Sequence, residues 1–243
     1  MTSDGMVRVA MNGSEAVVRS GKVRVALFPP QYEREAVTGE LWGFAVDLSQ
    51  ALGANLGVDV QFVECPGPRM VIDHLQAGRV DLAFLGVRQT DRADFTRPFI
   101  QLDFTCLVPA ASSITSVATA DWPGVRIATV RDHASTSALS LITTRAELVL
   151  ADVPEAAFDL LRSGRADALA SVRPWLLKVC ADLPGSRVLE ESYGANSMGA
   201  AVPRGRDRWL AYVSEFIEEA KSSGLVNRAI KRASWREVRL MHG

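Results

Sequence analysis

A short pattern that occurs twice is the feature that most restricts the fold of this chain. The segments Leu75–Ala83 and Leu161–Leu169 share leucine, glycine, arginine and aspartate at matching positions, 86 residues apart. Each reads as a helix end, a glycine cap and the start of a buried strand. We therefore expect two similar α/β units. A chance match is the alternative, because Gly-Arg after a helix is common.

Strand-like and helix-like segments alternate along the chain. Alternating or continuous apolar runs predict strands, and apolar residues at helical spacing predict the helices between them. This alternation indicates right-handed βαβ units and a mostly parallel sheet. The predicted strands are Val23–Phe28, Val58–Phe62, Val80–Leu85, Thr105–Pro109, Val125–Val130, Glu147–Leu150, Ala166–Ser171 and Met198–Pro203. The predicted helices are Phe44–Leu56, one through Met70 and Leu75, Ser135–Thr144, Pro154–Arg162, Asp207–Ser222 and Leu225–Arg232.

The stretch Asp81–Pro109 reads as a buried strand, a polar loop and a second strand. The first strand breaks at Gly86, and the loop carries Arg88, Arg92 and Arg97. In open α/β sheets, ligands lie just past the carboxyl ends of the strands, where an arginine can pair with an anion. We therefore expect this loop to form half of a binding cleft.

Composition excludes several classes of protein. The 243 residues, 48% of them hydrophobic, can form one large domain or two smaller ones. With 27 basic and 28 acidic residues, no global field attracts nucleic acid or an anionic membrane. Met1–Gly21 lacks the apolar core of a secretory signal, and no apolar run approaches the roughly 18 residues of a membrane span. We expect no nucleic-acid partner and no membrane insertion.

The sequence offers no recognisable catalytic or metal centre. It contains no Gly-x-Ser-x-Gly, no His-Glu-x-x-His and no phosphate-binding glycine loop. Cys65, Cys106 and Cys180 are an odd, widely spaced set, which matches neither a disulfide framework nor a zinc pattern. We interpret them as small buried hydrophobic residues, with one bridge as the alternative, and predict no cofactor and no catalytic residue.

Other candidate ligand contacts also follow predicted strands. Phe28 and Tyr32 could form an aromatic wall for a ligand or simply pack a loop. Ser135 and Thr136 begin a helix directly after His133, where backbone N–H groups and hydroxyls can hold an anion; an ordinary serine N-cap is the alternative. The repeat places Arg173 at the strand end equivalent to that of Arg88, so each unit offers an arginine. A solvated surface arginine is the alternative for Arg173.

With these motifs in place, the chain resembles the bacterial extracellular solute-binding proteins of the amino-acid type (family 3), which feed ABC transporters. The resemblance runs from about Lys22 to Leu225. It rests on the opening strand with Pro30, Gly43–Leu48, the Leu75, Gly78 and Asp81 triplet, Gly86 with Thr90 and Arg92, Asp94–Phe99, Gly164–Ala168 and Met198–Val202.

The resemblance implies an α/β, two-lobed, type II periplasmic-binding-protein-like fold. Two hinge strands would join the lobes, which close on a small ligand. Residues 1–107 and 198–243 are expected to form lobe 1, and residues 108–197 are expected to form lobe 2.

The resemblance also assigns roles to single residues. In this family a threonine and an arginine clamp an α-carboxylate, which implies Thr90 and Arg92 here. The segment after Thr90 is shorter than is usual in the family, which makes Arg88 an alternative clamp. Val172 stands where the family has an aspartate for the amino group, so an ammonium would lose its partner and be costly to desolvate. We therefore expect an anionic or carboxylated solute.

The expected function is capture of a small solute in the cleft between the lobes, without catalysis, for an ABC transporter permease. The alternatives are a cytosolic enzyme similar to cyclohexadienyl or prephenate dehydratases, or a ligand-sensing module. The family implies a periplasmic location, whereas the absence of a signal segment in the sequence leaves the cytoplasm as the alternative.

Overall fold

The computed structural model describes Val17, residues 20–87 and residues 90–241. The chain divides into two compact units. Of the described residues, unit 1 comprises those up to 99, residues 198–233 and residue 241, and unit 2 comprises residues 100–197 and 234–240. The chain therefore passes between the units four times.

Unit 1 begins with a parallel arrangement of three strands. The elements in chain order are β1 (Lys22–Leu27), β2 (Glu33–Arg34), β3 (Leu41–Trp42), α1 (Phe44–Leu56), β4 (Asp59–Glu64), α2 (Pro68–Gln76), β5 (Leu82–Gly86) and β6 (Ala93–Phe95). β1 pairs in parallel with both β4 and β5, and β2 and β3 form a separate antiparallel pair. The carboxyl ends of β1, β4 and β5 therefore point the same way.

Unit 2 repeats this arrangement. Its elements are β7 (Ile100–Val108), α3 (Val117–Ala120), β8 (Arg126–Val130), α4 (Ala134–Ile142), β9 (Glu147–Ala151), α5 (Pro154–Arg162), β10 (Ala168–Val172), α6 (Arg173–Cys180) and β11 (Arg187–Val188). β8 pairs in parallel with β9 and β10, whereas β7 runs antiparallel to β10 and β11. The alternating α/β pattern of the sequence is confirmed in both units.

The chain returns to unit 1 within a long strand. The last elements are β12 (Gly194–Pro203), α7 (Asp207–Ser222), α8 (Leu225–Arg232) and β13 (Arg239–Leu240). The part of β12 from Met198 onward pairs antiparallel with β5 and β6. Trp209 of α7 is buried and donates from Nε1 to the carbonyl oxygen of Asp81 at 2.8 Å. α7 thereby covers the start of β5 in unit 1.

The internal repeat is confirmed in the geometry of the two units. α2 and α5 both have nine residues, begin with proline and start 86 residues apart, at Pro68 and Pro154. Each is followed by a glycine with positive φ, 63° at Gly78 and 71° at Gly164. A left-handed residue at this place ends the helix and favours glycine. The shared sequence therefore encodes the same helix, turn and strand twice.

An arginine–aspartate pair fixes the start of each repeated strand. Arg24 donates from Nε and Nη2 to Asp81 at 2.9 and 2.8 Å, and its backbone N–H donates to the same carboxylate at 3.0 Å. Arg126 makes the same three contacts with Asp167, at 3.0, 2.8 and 2.8 Å. The repeated aspartate of the sequence pattern therefore joins β5 to β1 and β10 to β8.

The compact units differ from the expected lobes at two places. The prediction puts residues 100–107 in lobe 1, but β7 belongs to unit 2. The reason is its pairing, since Phe104–Leu107 lie opposite residues of β10. The segment 234–240 also belongs to unit 2, because β13 pairs with β7.

Each unit has its own apolar core. In unit 1 the buried cluster includes Phe28, Val71, Ile72, Leu75 and Leu85. In unit 2 it includes Cys106, Ile127, Leu139, Ala170 and Leu189. None of the helices in the described ranges has both the length and the apolar character that crossing a membrane requires.

Candidate functional site

The carboxyl ends of the parallel strands β1 and β5, where the sequence analysis expects a ligand loop, both lie in unit 1. Gly86 is the last residue of β5 and lies opposite Met198 of β12. Phe28, directly after β1, is buried and packs in the core of unit 1. Arg88, the alternative clamp, lies outside the described residues. The structure thus places Gly86 and Phe28 in the same unit, with Phe28 serving the core.

Tyr32 lies in a polar cluster with Glu64 and Arg34. Its hydroxyl donates to Oε2 of Glu64 at 2.8 Å, and Arg34 forms an ion pair with the same carboxylate. Burial and the Glu64 hydrogen bond raise the pKa of Tyr32 well above its ordinary value. The contacts with Arg34 and then Tyr32 lower the pKa of Glu64. The Tyr32 ring is therefore anchored through its hydroxyl at the carboxyl end of β4.

The two residues that the family resemblance makes a carboxylate clamp are engaged by their own unit. The Thr90 hydroxyl accepts the backbone N–H of Arg92 at 3.2 Å. The Arg92 guanidinium donates from Nε to Gln76 at 2.7 Å and forms an ion pair with Asp73. Because Gln76 and Asp73 both lie on α2, Arg92 is held against that helix. As a clamp it would have to exchange these partners for the solute.

His133, Ser135 and Thr136 meet at the amino end of α4, as the sequence predicts. Nδ1 of His133 accepts the backbone N–H of Ser135 at 3.3 Å and lies 2.7 Å from the Ser135 hydroxyl. His133 is therefore the N-cap of the helix, so the simple serine cap is wrong. The Thr136 hydroxyl donates to the carbonyl oxygen of Val130 at 2.6 Å and lies 2.7 Å from the Thr129 hydroxyl. Thr136 therefore ties α4 to β8.

The imidazole of His133 is held in its neutral form. Burial lowers its pKa to about 4. Since Nδ1 accepts the Ser135 N–H, the proton of the neutral ring is on Nε2. His133 therefore offers an N–H donor at the end of a helix, where the dipole also favours a negative or polarised acceptor.

The depressed pKa of His133 predicts a pH dependence of stability. In the unfolded chain the imidazole takes up a proton near 6.5, whereas in the folded protein it does so near 4. Between these two pKa values the unfolded state binds more protons than the folded state. The stabilisation from the neutral imidazole is therefore complete above the unfolded pKa and is lost as the pH falls through the folded pKa. The slope from one group is at most about 1.4 kcal/mol per pH unit.

The control is His133→Asn, which keeps a side-chain acceptor at the N-cap without a titratable ring. Urea unfolding of both proteins across this pH window should show a steeper loss of stability with falling pH in the wild type than in the variant, because the carboxylates that also titrate there contribute equally to both. Parallel curves for the two proteins would contradict the assignment.

Arg173 is buried and paired within its own unit, so the alternative of a solvated surface arginine is wrong. The residue is 6% exposed. Its guanidinium forms an ion pair with Glu237, donates to the carbonyl oxygen of Leu189 at 2.6 Å, and lies 3.2 Å from a carboxylate oxygen of Glu190. These partners all belong to unit 2. Arg173 begins helix α6, which the sequence did not predict.

Two buried polar groups were not found from the sequence. Gln31 is 2% exposed and donates from Nε2 to the carbonyl oxygen of Phe84 at 2.6 Å, while its Oε1 has no hydrogen-bond partner among the described residues. The Tyr193 hydroxyl oxygen is likewise buried, and no side chain in the described part of the chain meets hydrogen-bond geometry with it. Burial raises the pKa of Tyr193, although Ser135 lies near enough to oppose this rise. Only the position of Gln31, after Pro29 and Pro30 at the end of a predicted strand, could have drawn attention to it.

The cysteines form neither a bridge nor a metal site. All three are free thiols; Cys65 and Cys106 are buried, as predicted, whereas Cys180, also predicted to be buried, is half-buried. Burial raises the pKa of Cys106 to about 12. No group of three or more histidine, cysteine or acidic side chains within the described ranges is arranged to hold a metal ion.

Comparisons with solved structures identify the fold. The solute receptor for L-cysteine of Neisseria gonorrhoeae is 24% identical, with 91% of this chain and 93% of that one covered, at a TM-score of 0.79. An amino-acid ABC transporter substrate-binding protein from Streptococcus pneumoniae, bound to L-arginine, is 22% identical. The match covers 94% of this chain and 99% of that one, at a TM-score of 0.81. An ancestral amino-acid-binding protein, a precursor of cyclohexadienyl dehydratase, is 25% identical. The match covers 90% of this chain and 97% of that one, at a TM-score of 0.78.

These likenesses confirm the type II periplasmic-binding-protein fold predicted from the sequence. No curated protein matches the sequence. The model of the bacterial extracellular solute-binding proteins, family 3, matches residues 23–234, which is most of the chain. The chain therefore belongs to the family 3 bacterial extracellular solute-binding proteins.

Proposed function

We propose that this protein binds an amino-acid-type solute and delivers it, chemically unchanged, to an ABC transporter. The observation that carries this proposal is the family match over residues 23–234, on two units that repeat the same helix, turn and strand. β5 and β10 are the equivalent strands of these units, and ligands of open α/β sheets lie past such strand ends.

The proposed solute differs from the anionic molecule expected from the sequence. That expectation rested on Val172 in place of an aspartate and on three arginines, of which Arg92 is engaged by Asp73 and Gln76, and Arg173 by Glu190 and Glu237. The structural neighbours described above bind L-cysteine and L-arginine. An anionic solute is therefore not supported, and we propose a solute that carries the amino-acid backbone.

We propose that the solute contacts are made by the loop after Gly86 in unit 1 and by the start of α4 in unit 2. The loop offers Thr90 and Arg88. The helix offers the Nε2–H group of His133 and the first-turn N–H groups near Ser135, which suit a carboxylate. Val172 is apolar and 3% exposed, so the ammonium group must be recognised by something other than a carboxylate at that position.

The partner and the location follow from the proposed role. Delivery to a transporter requires contact with its permease, and a solute receptor of this family acts outside the cytoplasmic membrane. We therefore propose a periplasmic or extracellular location and a permease as the protein partner.

Binding without conversion is favoured over the dehydratase alternative. The ancestral neighbour that preceded cyclohexadienyl dehydratase is itself described as an amino-acid-binding protein. A dehydratase needs a general acid within reach of its substrate. The one imidazole at the start of α4 is neutral, with a pKa lowered to about 4 by burial, so it is a poor proton donor at neutral pH.

A melting-temperature screen tests the proposal. We expect one class of amino acid, at about 100 times its dissociation constant, to stabilise the protein by about 2.7 kcal/mol, which is a shift of about 5–10 °C. Dicarboxylic acids without an amino group serve as the control and should give no shift. A shift with those acids alone, or no shift with any amino acid, would contradict the proposal.

A further inference from the structure

Unit 2 contains a cavity of about 330 Å³ between α3 and α4, at a distance from the proposed solute contacts. Its floor is apolar and is formed by Cys106, Ala120, Ile127 and Leu139, all of which are buried. Its mouth includes Ile142, a large apolar side chain that is 43% exposed. Water in such a space forfeits hydrogen bonds on the apolar side, so an apolar group is the favoured occupant.

Arg145 lines the same cavity and provides a free positive charge. Its side chain is exposed and makes no hydrogen bond or ion pair with any residue in the ranges that the structure describes. Its backbone is nevertheless fixed, because Oδ1 of Asp121 accepts the N–H groups of Thr144, Arg145 and Ala146 at 2.9, 2.8 and 3.0 Å. The guanidinium therefore extends from a rigid turn.

The two acidic groups of the cavity behave differently. Both oxygens of Asp121 are used, since Oδ2 accepts the Thr144 hydroxyl at 2.9 Å. Despite desolvation, these contacts hold the pKa of Asp121 far below its ordinary value. Glu191 uses only Oε2, which accepts the N–H of Val117 at 2.8 Å, and within the described chain its Oε1 makes no hydrogen bond. Glu191 is therefore positioned by α3 with one oxygen available to a ligand.

The charges around the mouth select the type of ligand. Arg145 can pair with a carboxylate, and the free oxygen of Glu191 can pair with an ammonium. Ile142 and Thr143 lie at the carboxyl end of α4, where the helix dipole favours a cation. A plain anion would face Glu191, and a plain cation would face Arg145. A molecule with both charges on an apolar body satisfies all of these groups.

We propose that this cavity is a second binding site, for a small zwitterion with an aliphatic body. Its carboxylate pairs with Arg145, its ammonium pairs with Glu191, and its aliphatic part fills the apolar floor beside Ile127 and Leu139. The site is separate from the proposed transport site, because His133 and Ile142 lie at opposite ends of the nine-residue α4. Nine residues of helix span about 13 Å.

Methyl-resolved NMR of the full chain tests the site with three probes that share one aliphatic body. These are L-leucine, 4-methylpentanoate and 3-methylbutylamine. We expect L-leucine to shift the methyl signals of Ile127, Leu139 and Ile142, and to bind at least about threefold more tightly than either single-charge probe. Equal shifts from all three probes, or none from L-leucine, would overturn the proposal.

Two variants assign the effect to the cavity. Arg145→Gln should raise the dissociation constant of L-leucine, read from these shifts, by about fivefold. Arg165→Gln, at an exposed arginine elsewhere in unit 2, should leave it unchanged. Ala118→Leu adds bulk at an exposed lining position of α3 and should abolish the shifts without loss of stability. Unchanged shifts in both Arg145→Gln and Ala118→Leu would overturn the proposal.

The outcome is independent of the proposed transport function. The reporting methyl groups line the cavity, so a solute bound at the amino end of α4 or in unit 1 leaves the dependence on Arg145 and Ala118 unexplained. Conversely, a protein that fails the melting-temperature screen for transported solutes can still show these local shifts. The two proposals can therefore fail separately.

Discussion

Replacement of Asp81 by alanine should destabilise the protein by about 3 kcal/mol, whereas the equivalent Asp167→Ala should cost about 1 kcal/mol. The two aspartates make the same three hydrogen bonds, to Arg24 and to Arg126. They differ in burial, because the Asp81 side chain is 11% exposed and that of Asp167 is 39% exposed.

The difference has a physical cause. Removing Asp81 leaves the Arg24 backbone N–H and its part-buried guanidinium without a partner, at a place where the lost carboxylate was largely shielded from water. At the more exposed pair, water replaces the lost carboxylate at small cost. The internal repeat thus provides its own control, since the three arginine–aspartate hydrogen bonds are the same in both units while the exposure of the aspartate differs.

Unfolding of the wild type and both variants by guanidinium chloride, followed by circular dichroism, measures these losses of stability. Asp81→Asn and Asp167→Asn serve as further controls, because they keep the size of the side chain and remove its charge. Losses of equal size in the two units would contradict the role assigned to burial.

Replacement of Arg173 by alanine should destabilise the protein by about 2–3 kcal/mol and leave solute binding within about threefold of the wild type. The buried guanidinium has three partners in its own unit, Glu237, Glu190 and the carbonyl oxygen of Leu189. The loss falls on folding rather than on the solute, because no solute contact is proposed for this residue.

Arg173→Lys should recover little of this stability, since a single ammonium cannot reach three acceptors in the fork geometry of a guanidinium. Arg165→Ala, at an exposed arginine of the same unit, is the matched control and should be neutral. Denaturant midpoints report stability, and calorimetric titration with the solute found in the melting-temperature screen reports affinity. A normal midpoint together with lost binding would restore Arg173 to the solute site.

The fold could be predicted from the sequence because the spacing of apolar residues indicates which face of each helix or strand is buried. α5, α7 and α8 have the bounds that apolar spacing and the flanking proline and glycine predict. The repeat of leucine, glycine, arginine and aspartate also predicted a duplicated unit, and the two arginine–aspartate pairs show what the repeated aspartate does. Local patterns suffice for such elements, because their signals lie within a few residues.

The site was harder to predict than the fold, because the partner of a charged side chain is set by tertiary structure. Arg92 is paired with Asp73, and Arg173 with Glu237, 64 residues further along the chain. Nothing in the local sequence of either arginine indicates that its charge is already compensated. An arginine that follows a strand therefore looks the same whether it awaits a ligand or holds the fold together.

His133 shows an intermediate case. The sequence places it before a helix with serine and threonine in the first turn, and the structure brings these residues together. Its role as the N-cap, with a lowered pKa, depends on burial that only the packing of unit 2 creates. The location of the group was thus predictable, and its protonation state was not.

One titration tests the central claim, that the protein binds an amino-acid-type solute without converting it. The amino acid that gives the largest melting-temperature shift is added to the protein and observed by NMR over hours, with prephenate in a parallel sample. We expect saturable binding at one solute per transport site, an unchanged total solute signal and no product in either sample. Product signals, or solute signals unaffected by the protein, would contradict the claim.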